Sequence, residues 1–213
     1  MAAFDFKKED KQLYAGATPC IVGVPEMLFL TVQGAGDPNT APAYQSALEV
    51  LYGLSYAIKM SKMTGTQPEG YFDYVVPPLE GLWWTPGTEG FDGTKPGAKD
   101  KLCWLSIIRQ PPFVTEEAFA VAKAALLKKK PDLDASTAKL ERLQEGLCGQ
   151  ILHIGPYDDE PATIARLDAF LAAEGYQTDF TGGRKHHEIY LGDPRKTAPE
   201  KLKTIIRHPI VKR

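Results

Sequence analysis

The sequence predicts an α+β domain in which helices cover one face of a mainly antiparallel sheet. Two observations predict it. The order strand, helix, strand, strand runs through the first half, and after extra helices the order strand, helix, strand returns in the second. Strands and helices do not alternate regularly, and no G-x-G-x-x-G or G-x-x-x-x-G-K-[ST] stands between a strand and a helix, which sets aside a parallel nucleotide-binding sheet.

The elements follow in chain order. Residues 1–20 are mixed and polar, and read as an N-terminal arm or tail. Ile21 to Gln33 is a strand broken at Pro25. The turn-rich stretch Gly34 to Thr40 leads into a helix that Asn39 or Thr40 can cap, with Pro42 in its first turn. That helix reaches about Met60. It carries Tyr44, Ala47, Leu48, Leu51, Ser55 and Ile58 on one face, and its only charges are Glu49 and Lys59, so it is expected to be largely buried.

Tyr71 to Val76 reads as a strand, Pro77-Pro78 interrupts it, and Gly81 to Trp84 is again extended. Pro86 to Lys101, rich in Gly, Pro and charge, is a loop suited to border a site. Leu102 to Gln110 is a strand stopped by Pro111-Pro112. Thr115 caps a helix with Glu116 and Glu117 in its first turn and Lys128 to Lys130 in its last, as the helix dipole favours. Ser136 or Thr137 to Glu145 reads as a shorter amphipathic helix closed by Gly146. Gly149 to Ile154 is a strand, Pro161 opens a helix with Ile164, Leu167 and Leu171 inward and Gly175 at its end, and 186–191 is the last strand.

Composition narrows the function. The 213 residues, 43% hydrophobic and 24% charged, suit a soluble globular protein. A net charge of -2 and a pI near 6.1 supply no attraction for nucleic acid or an anionic membrane. The N-terminus lacks the apolar core of a signal peptide, and no apolar run approaches membrane-spanning length. Cys20, Cys103 and Cys148 are odd in number and far apart, which argues against a disulfide framework or zinc site; a cytoplasmic protein is expected. Aromatic residues cluster at Tyr71, Phe72, Tyr74, Trp83, Trp84 and Trp104, which suits either a core or a pocket for flat apolar ligands.

The most informative stretch is His186 to Pro194. As a strand it sends His186, Glu188 and Tyr190 to one face, and His187, Ile189 and Leu191 to the other, where they read as ordinary core. A carboxylate in mid-strand is costly to bury unpaired, so this face either meets solvent or lines a pocket in which the charge has a task. His186 and Glu188, with His153 elsewhere, are too few for a metal site, and His186 is expected at a rim or surface. G-x-S-x-G is absent, and Cys103 reads as a small buried hydrophobe.

Four separated motifs carry a family resemblance: Phe72 to Trp84, Trp104 to Phe113, Gly155 to Pro161 and His187 to Pro194. Together they resemble the stand-alone branch of the GyrI-like small-molecule-binding family, from about residue 20 to the C-terminus. The resemblance implies two βαββ units in pseudo-twofold arrangement with a ligand cleft between them. The halves are expected at about 21–110 and 111–194, followed by a tail over 195–213. The resemblance is nearest to the family's cyclopropanoid cyclopropyl hydrolases, which open a cyclopropane ring in DNA-alkylating natural products within an aromatic cage.

For such chemistry Glu188 is the expected water-orienting base and Tyr190 a polar wall or donor, without a cofactor or metal. Tyr74, Trp83, Trp84, Trp104 and Tyr157 are cage candidates. Period two allows only one of Trp83 and Trp84 to face the cleft. The expected partner is a small hydrophobic or aromatic molecule. A transcription factor is not expected. The alternatives are a drug-sequestering protein with the same cleft and, more weakly, a gyrase-inhibitor-like interaction protein. Glu188 fits both catalysis and cation binding.

Overall fold

The computed structural model describes residues 3–87 and 99–213. Nine antiparallel strands form its sheet: β1 (Cys20–Val24), β2 (Met27–Ala35), β3 (Leu79–Trp84), β4 (Cys103–Gln110), β5 (Lys139–Leu143), β6 (Gly146–Ile154), β7 (Tyr176–Thr178), β8 (His186–Tyr190) and β9 (Lys203–Lys212). The order across it is β1-β6-β9-β8-β3-β4-β2-β5, with β7 paired to β9. The helices are α1 (Phe6–Glu9), α2 (Lys11–Tyr14), α3 (Pro42–Lys59), α4 (Glu116–Lys129) and α5 (Glu160–Ala173). Among the described residues no helix is long and apolar enough to cross a membrane.

The two expected units are present. The first is β2-α3-β3-β4; the second is β6-α5-β8-β9, with β7 inserted after α5. Outward from the β3/β8 seam, each half places its second, third and first strand in the same succession, as a pseudo-twofold requires. Helix α3 packs on β2 and β4, and α5 on β6 and β7. The seam between the units lies below the gap between these helices.

Several expectations are corrected. Lys203–Lys212, read as tail, is the third strand of the second βαββ unit and pairs with β6, β7 and β8. Arg207 and His208 interrupt its apolar pattern because both are buried in polar networks, and Pro209 lies beyond the span that pairs with β8. The stretch from Ser136, read as a helix, holds β5. Its register Met27↔Leu143 to Thr31↔Lys139 covers the outer edge of β2, and pairing outweighs the local helical pattern. Tyr71 to Val76 is not a sheet strand. It meets the arm instead, through backbone bonds from Phe4 to Asp73 and from Val75 to Phe4. Helix α3 has Ala41, not Asn39 or Thr40, at its N-cap. The loop expected at 86–101 lies largely outside the described residues.

The arm is built onto the sheet face opposite α3 and α5. Arg207 donates to Leu13 O (2.6 Å), Gln150 Oε1 (3.0 Å) and Glu145 Oε2 (2.8 Å). Glu145 also receives His187 Nδ1 at 2.9 Å, and Glu80 Oε2 lies 3.0 Å from His187 Nε2. The face of β8 expected to be ordinary core therefore holds a buried ion network. Burial works against charge there. Even so, the partners hold Glu145 at about 2 and His187 up at about 9.

Candidate functional site

On the helix-facing side of the seam, β8 presents His186, Glu188 and Tyr190, and β3 presents Gly81 and Trp83. The register Gly81↔Glu188 sets a glycine opposite the carboxylate. A Cβ on Gly81 would lie 2.6 Å from Trp83 Nε1 and 3.1 Å from Tyr190 Oη, so a side chain there would drive these groups apart. Above them lies a cleft of about 1300 Å³ whose walls include Tyr44, Tyr52, Trp83, Tyr157, Glu160 and Tyr190. That volume exceeds the roughly 300–1,000 Å³ of ordinary small-molecule pockets and leaves room for a drug-sized polycycle.

Glu188 is buried at the floor of this cleft, at 6% exposure, with both carboxylate oxygens tethered. Tyr190 donates to its Oε2 (2.8 Å), and His186 Nε2 lies 3.0 Å from its Oε1. Trp83 Nε1 donates to Tyr190 Oη at 3.1 Å, and His186 Nδ1 lies 2.7 Å from His208 Nε2. Burial and the neighbouring His186 hold His208 well below its ordinary range, hence neutral. The imidazoles of His208 and His186 thus form a hydrogen-bonded chain that ends on the carboxylate. Burial and the Glu188 charge push Tyr190 well above the ordinary phenol value, so it keeps its proton. The same causes raise Tyr157 to about 12.

A second carboxylate faces the first. Glu160, the first residue of α5, is 2% exposed, and no hydrogen-bond partner meets its Oε1. Ligand-capable atoms of Glu160, His186 and Glu188 all lie within 4.8 Å of one another. Within this group both oxygens of Glu188 meet hydrogen-bonding partners, His186 and Tyr190. Two carboxylate charges within 4.8 Å of one another would repel by about 3 kcal/mol or more at an effective dielectric near 20. The N-terminal field of α5 offsets only about 0.3–1 kcal/mol of that. Burial and the Glu188 charge accordingly push the Glu160 carboxyl well above its usual range.

The expected site residues divide cleanly. Trp83, Tyr157, Glu188 and Tyr190 meet in the cleft, with the Tyr157 and Tyr190 rings edge to face at 5.8 Å. Trp104 stands behind this wall, buried against Tyr44 with ring centroids 5.1 Å apart. Trp84 points to the other side of β3, where Lys185 Nζ sits 4.6 Å from its ring centroid. Tyr74 is buried in a separate cluster with Phe72 and Phe113 and does not line the cleft. His186, expected at a rim, is 0% exposed because its two ring nitrogens are tied into the chain between His208 and Glu188.

Sequence reasoning missed Glu160, which reads as one more helix-start acid after Asp158 and Asp159. It took Tyr44 only as a buried helix position. The signal for Glu160 was its place in the Gly155 to Pro161 motif, with Pro161 fixing it at the helix start.

Comparison with known proteins agrees with this architecture. Residues 17–211 match the family model of the GyrI-like small molecule binding domain. The crystal structure of an uncharacterized conserved protein from Listeria innocua is 51% identical. The match covers 98% of this chain and 100% of that one, with a TM-score of 0.90. A crystal structure described as a hydrolase from Listeria innocua is 48% identical over 98% and 100% of the two chains, with a TM-score of 0.87. The EcmrR C-terminal domain, 12% identical over 92% and 98% with a TM-score of 0.54, shares the fold alone. No curated protein matches.

Proposed function

The chain belongs to the GyrI-like small-molecule-binding family, and on that premise we propose that it hydrolyses planar, hydrophobic electrophiles held in the aromatic cleft. Glu188 orients and deprotonates the attacking water. The substrates are strained-ring compounds such as a cyclopropane conjugated to a dienone, which water opens to a phenol. The observation that carries this reading is the convergence of His186, Tyr190 and, through Tyr190, Trp83 on one carboxylate inside an aromatic cleft. A merely apolar binding site has no use for a buried anion held in one orientation, whereas general-base chemistry requires one. The hydrolase described in Listeria innocua supports the reaction type.

The division of labour follows from the chemistry. Trp83, Tyr157 and Tyr44 hold the flat ring system, which makes the attack effectively intramolecular. Glu188, fixed by its two donors, receives the water proton. Tyr190 keeps the carboxylate in place and presents a polar edge to the ligand.

The test is incubation with a spirocyclopropyl cyclohexadienone, with ring-opened product followed by mass spectrometry. The wild-type protein is expected to form many product molecules per protein. Glu188→Gln is expected to lose roughly 100- to 10,000-fold in kcat while still binding the probe. Stoichiometric protection that survives this substitution would instead indicate sequestration.

A further inference from the structure

The cleft holds two carboxyl groups, and the reaction above uses only one. We propose that Glu160 is the acid partner of Glu188, so that the site works as a carboxyl–carboxylate pair carrying one proton. The proposal rests on the hydrolytic reading and extends it. It stands on three observations. Glu160 and Glu188 line the same cleft. An oxygen of each, with a ring nitrogen of His186, lies within 4.8 Å of the others. Glu160 Oε1 is enclosed without a partner, whereas both oxygens of Glu188 accept hydrogen bonds. A carboxylate with an enclosed oxygen that meets no donor is the costlier of the two to ionise, so the proton resides on Glu160.

The groups facing Glu160 agree with that assignment. From β8 come Glu188 and His186; from the turn before α5, Tyr157 and Asp158; and from the 99–101 turn, Lys99, while Tyr44, Tyr190 and Asp193 line the same cleft. Lys99 is paired with Asp158 Oδ1 at 2.6 Å, and its charge is largely compensated there.

The balanced step is as follows. Water oxygen bonds to the strained ring carbon, and the carbon–carbon bond of the small ring breaks. Its electron pair passes through the conjugated ring to the carbonyl oxygen. Glu188 takes the water proton while Glu160 gives its own to that oxygen. Substrate plus water thus becomes a hydroxylated phenol, and the proton on Glu188 returns to Glu160 to reset the pair. Nothing is oxidised or reduced. Two carboxyl groups in unlike environments, one kept neutral, make one site both acid and base at neutral pH.

Two measurements test it. Glu160→Gln keeps the shape of a neutral carboxyl but has no proton to give. It is expected to bind the dienone probe, lose roughly 100-fold or more in kcat, and lose the fall in rate at high pH that wild type shows as Glu160 ionises. If wild type turns over and a folded Glu160→Gln matches it at every pH, the role of Glu160 is overturned while the hydrolytic reading stands. If wild type turns nothing over, that reading falls and the catalytic role with it. Infrared difference spectroscopy examines the shared proton without any substrate. Wild type is expected to show a protonated carboxyl band at neutral pH, and in Glu188→Gln, relieved of the neighbouring charge, that band should vanish at lower pH. Absence of the band from wild type overturns the one-proton pair.

Discussion

His187 and His208 share the β8/β9 region, yet their surroundings push them in opposite directions. His208 is desolvated beside another imidazole and stays neutral. His187 is as deeply buried, but Glu145 and Glu80 raise it to about 9. A histidine raised in the folded state adds stability that is fully present below its unfolded value, near 6.5, and is lost as pH climbs through about 9. That rise corresponds to roughly 3 kcal/mol. Glu145, held at about 2, adds stability that is lost as pH falls towards that value. The two effects describe one interaction and do not add. Urea unfolding should therefore weaken steadily between pH ~6.5 and ~9 in the wild type and lose that slope in His187→Gln; a level wild-type profile would refute the charged His187. At this scale alternation along β8 correctly put Glu188 and Tyr190 on one wall. It could not tell that His186 is enclosed, because its partner His208 is 22 residues away on another strand.

The β3/β8 seam depends on a missing side chain as much as on those present. Gly81 lets Trp83 reach Tyr190, and Tyr190 in turn holds Glu188. Gly81→Ala is expected to cost roughly 1–3 kcal/mol, as overpacking does, and to weaken probe binding and turnover together, although it removes no chemical group. Gly23→Ala on β1, where a Cβ would meet nothing within 4 Å, is the control. Thermal unfolding and probe titration of the two variants check this; equal behaviour would show that the seam tolerates the extra carbon. Elements with continuous apolar faces, such as α3 and β2, were legible from sequence. Strands β5 and β9 were not. Lys139–Leu143 has a helix-like pattern that the open edge of β2 overrides, and Arg207 and His208 give β9 a polar centre that makes sense only beside Glu145, Gln150 and His186.

At the scale of the molecule, duplication and asymmetry act together. Two βαββ units abut at β3 and β8, and α3 and α5 flank the resulting cleft. The first unit supplies apolar surface through Tyr44 and Trp83. The second supplies the two carboxyl groups, Glu160 and Glu188, and the side chains of His186 and Tyr190 that contact Glu188. Family motifs in the sequence pointed to the cleft. They could not separate Trp83 from Trp84, or exclude Tyr74, because those distinctions depend on strand register and on the arm that draws Tyr74 away. The most direct measurement is a crystal structure of Glu188→Gln with the intact dienone probe bound. The account predicts the probe between Tyr44, Trp83 and Tyr157, its strained carbon towards residue 188 and its carbonyl towards Glu160. A probe seated in the Tyr74 cluster, or lying in the cleft with its strained ring turned away from residue 188, would contradict it.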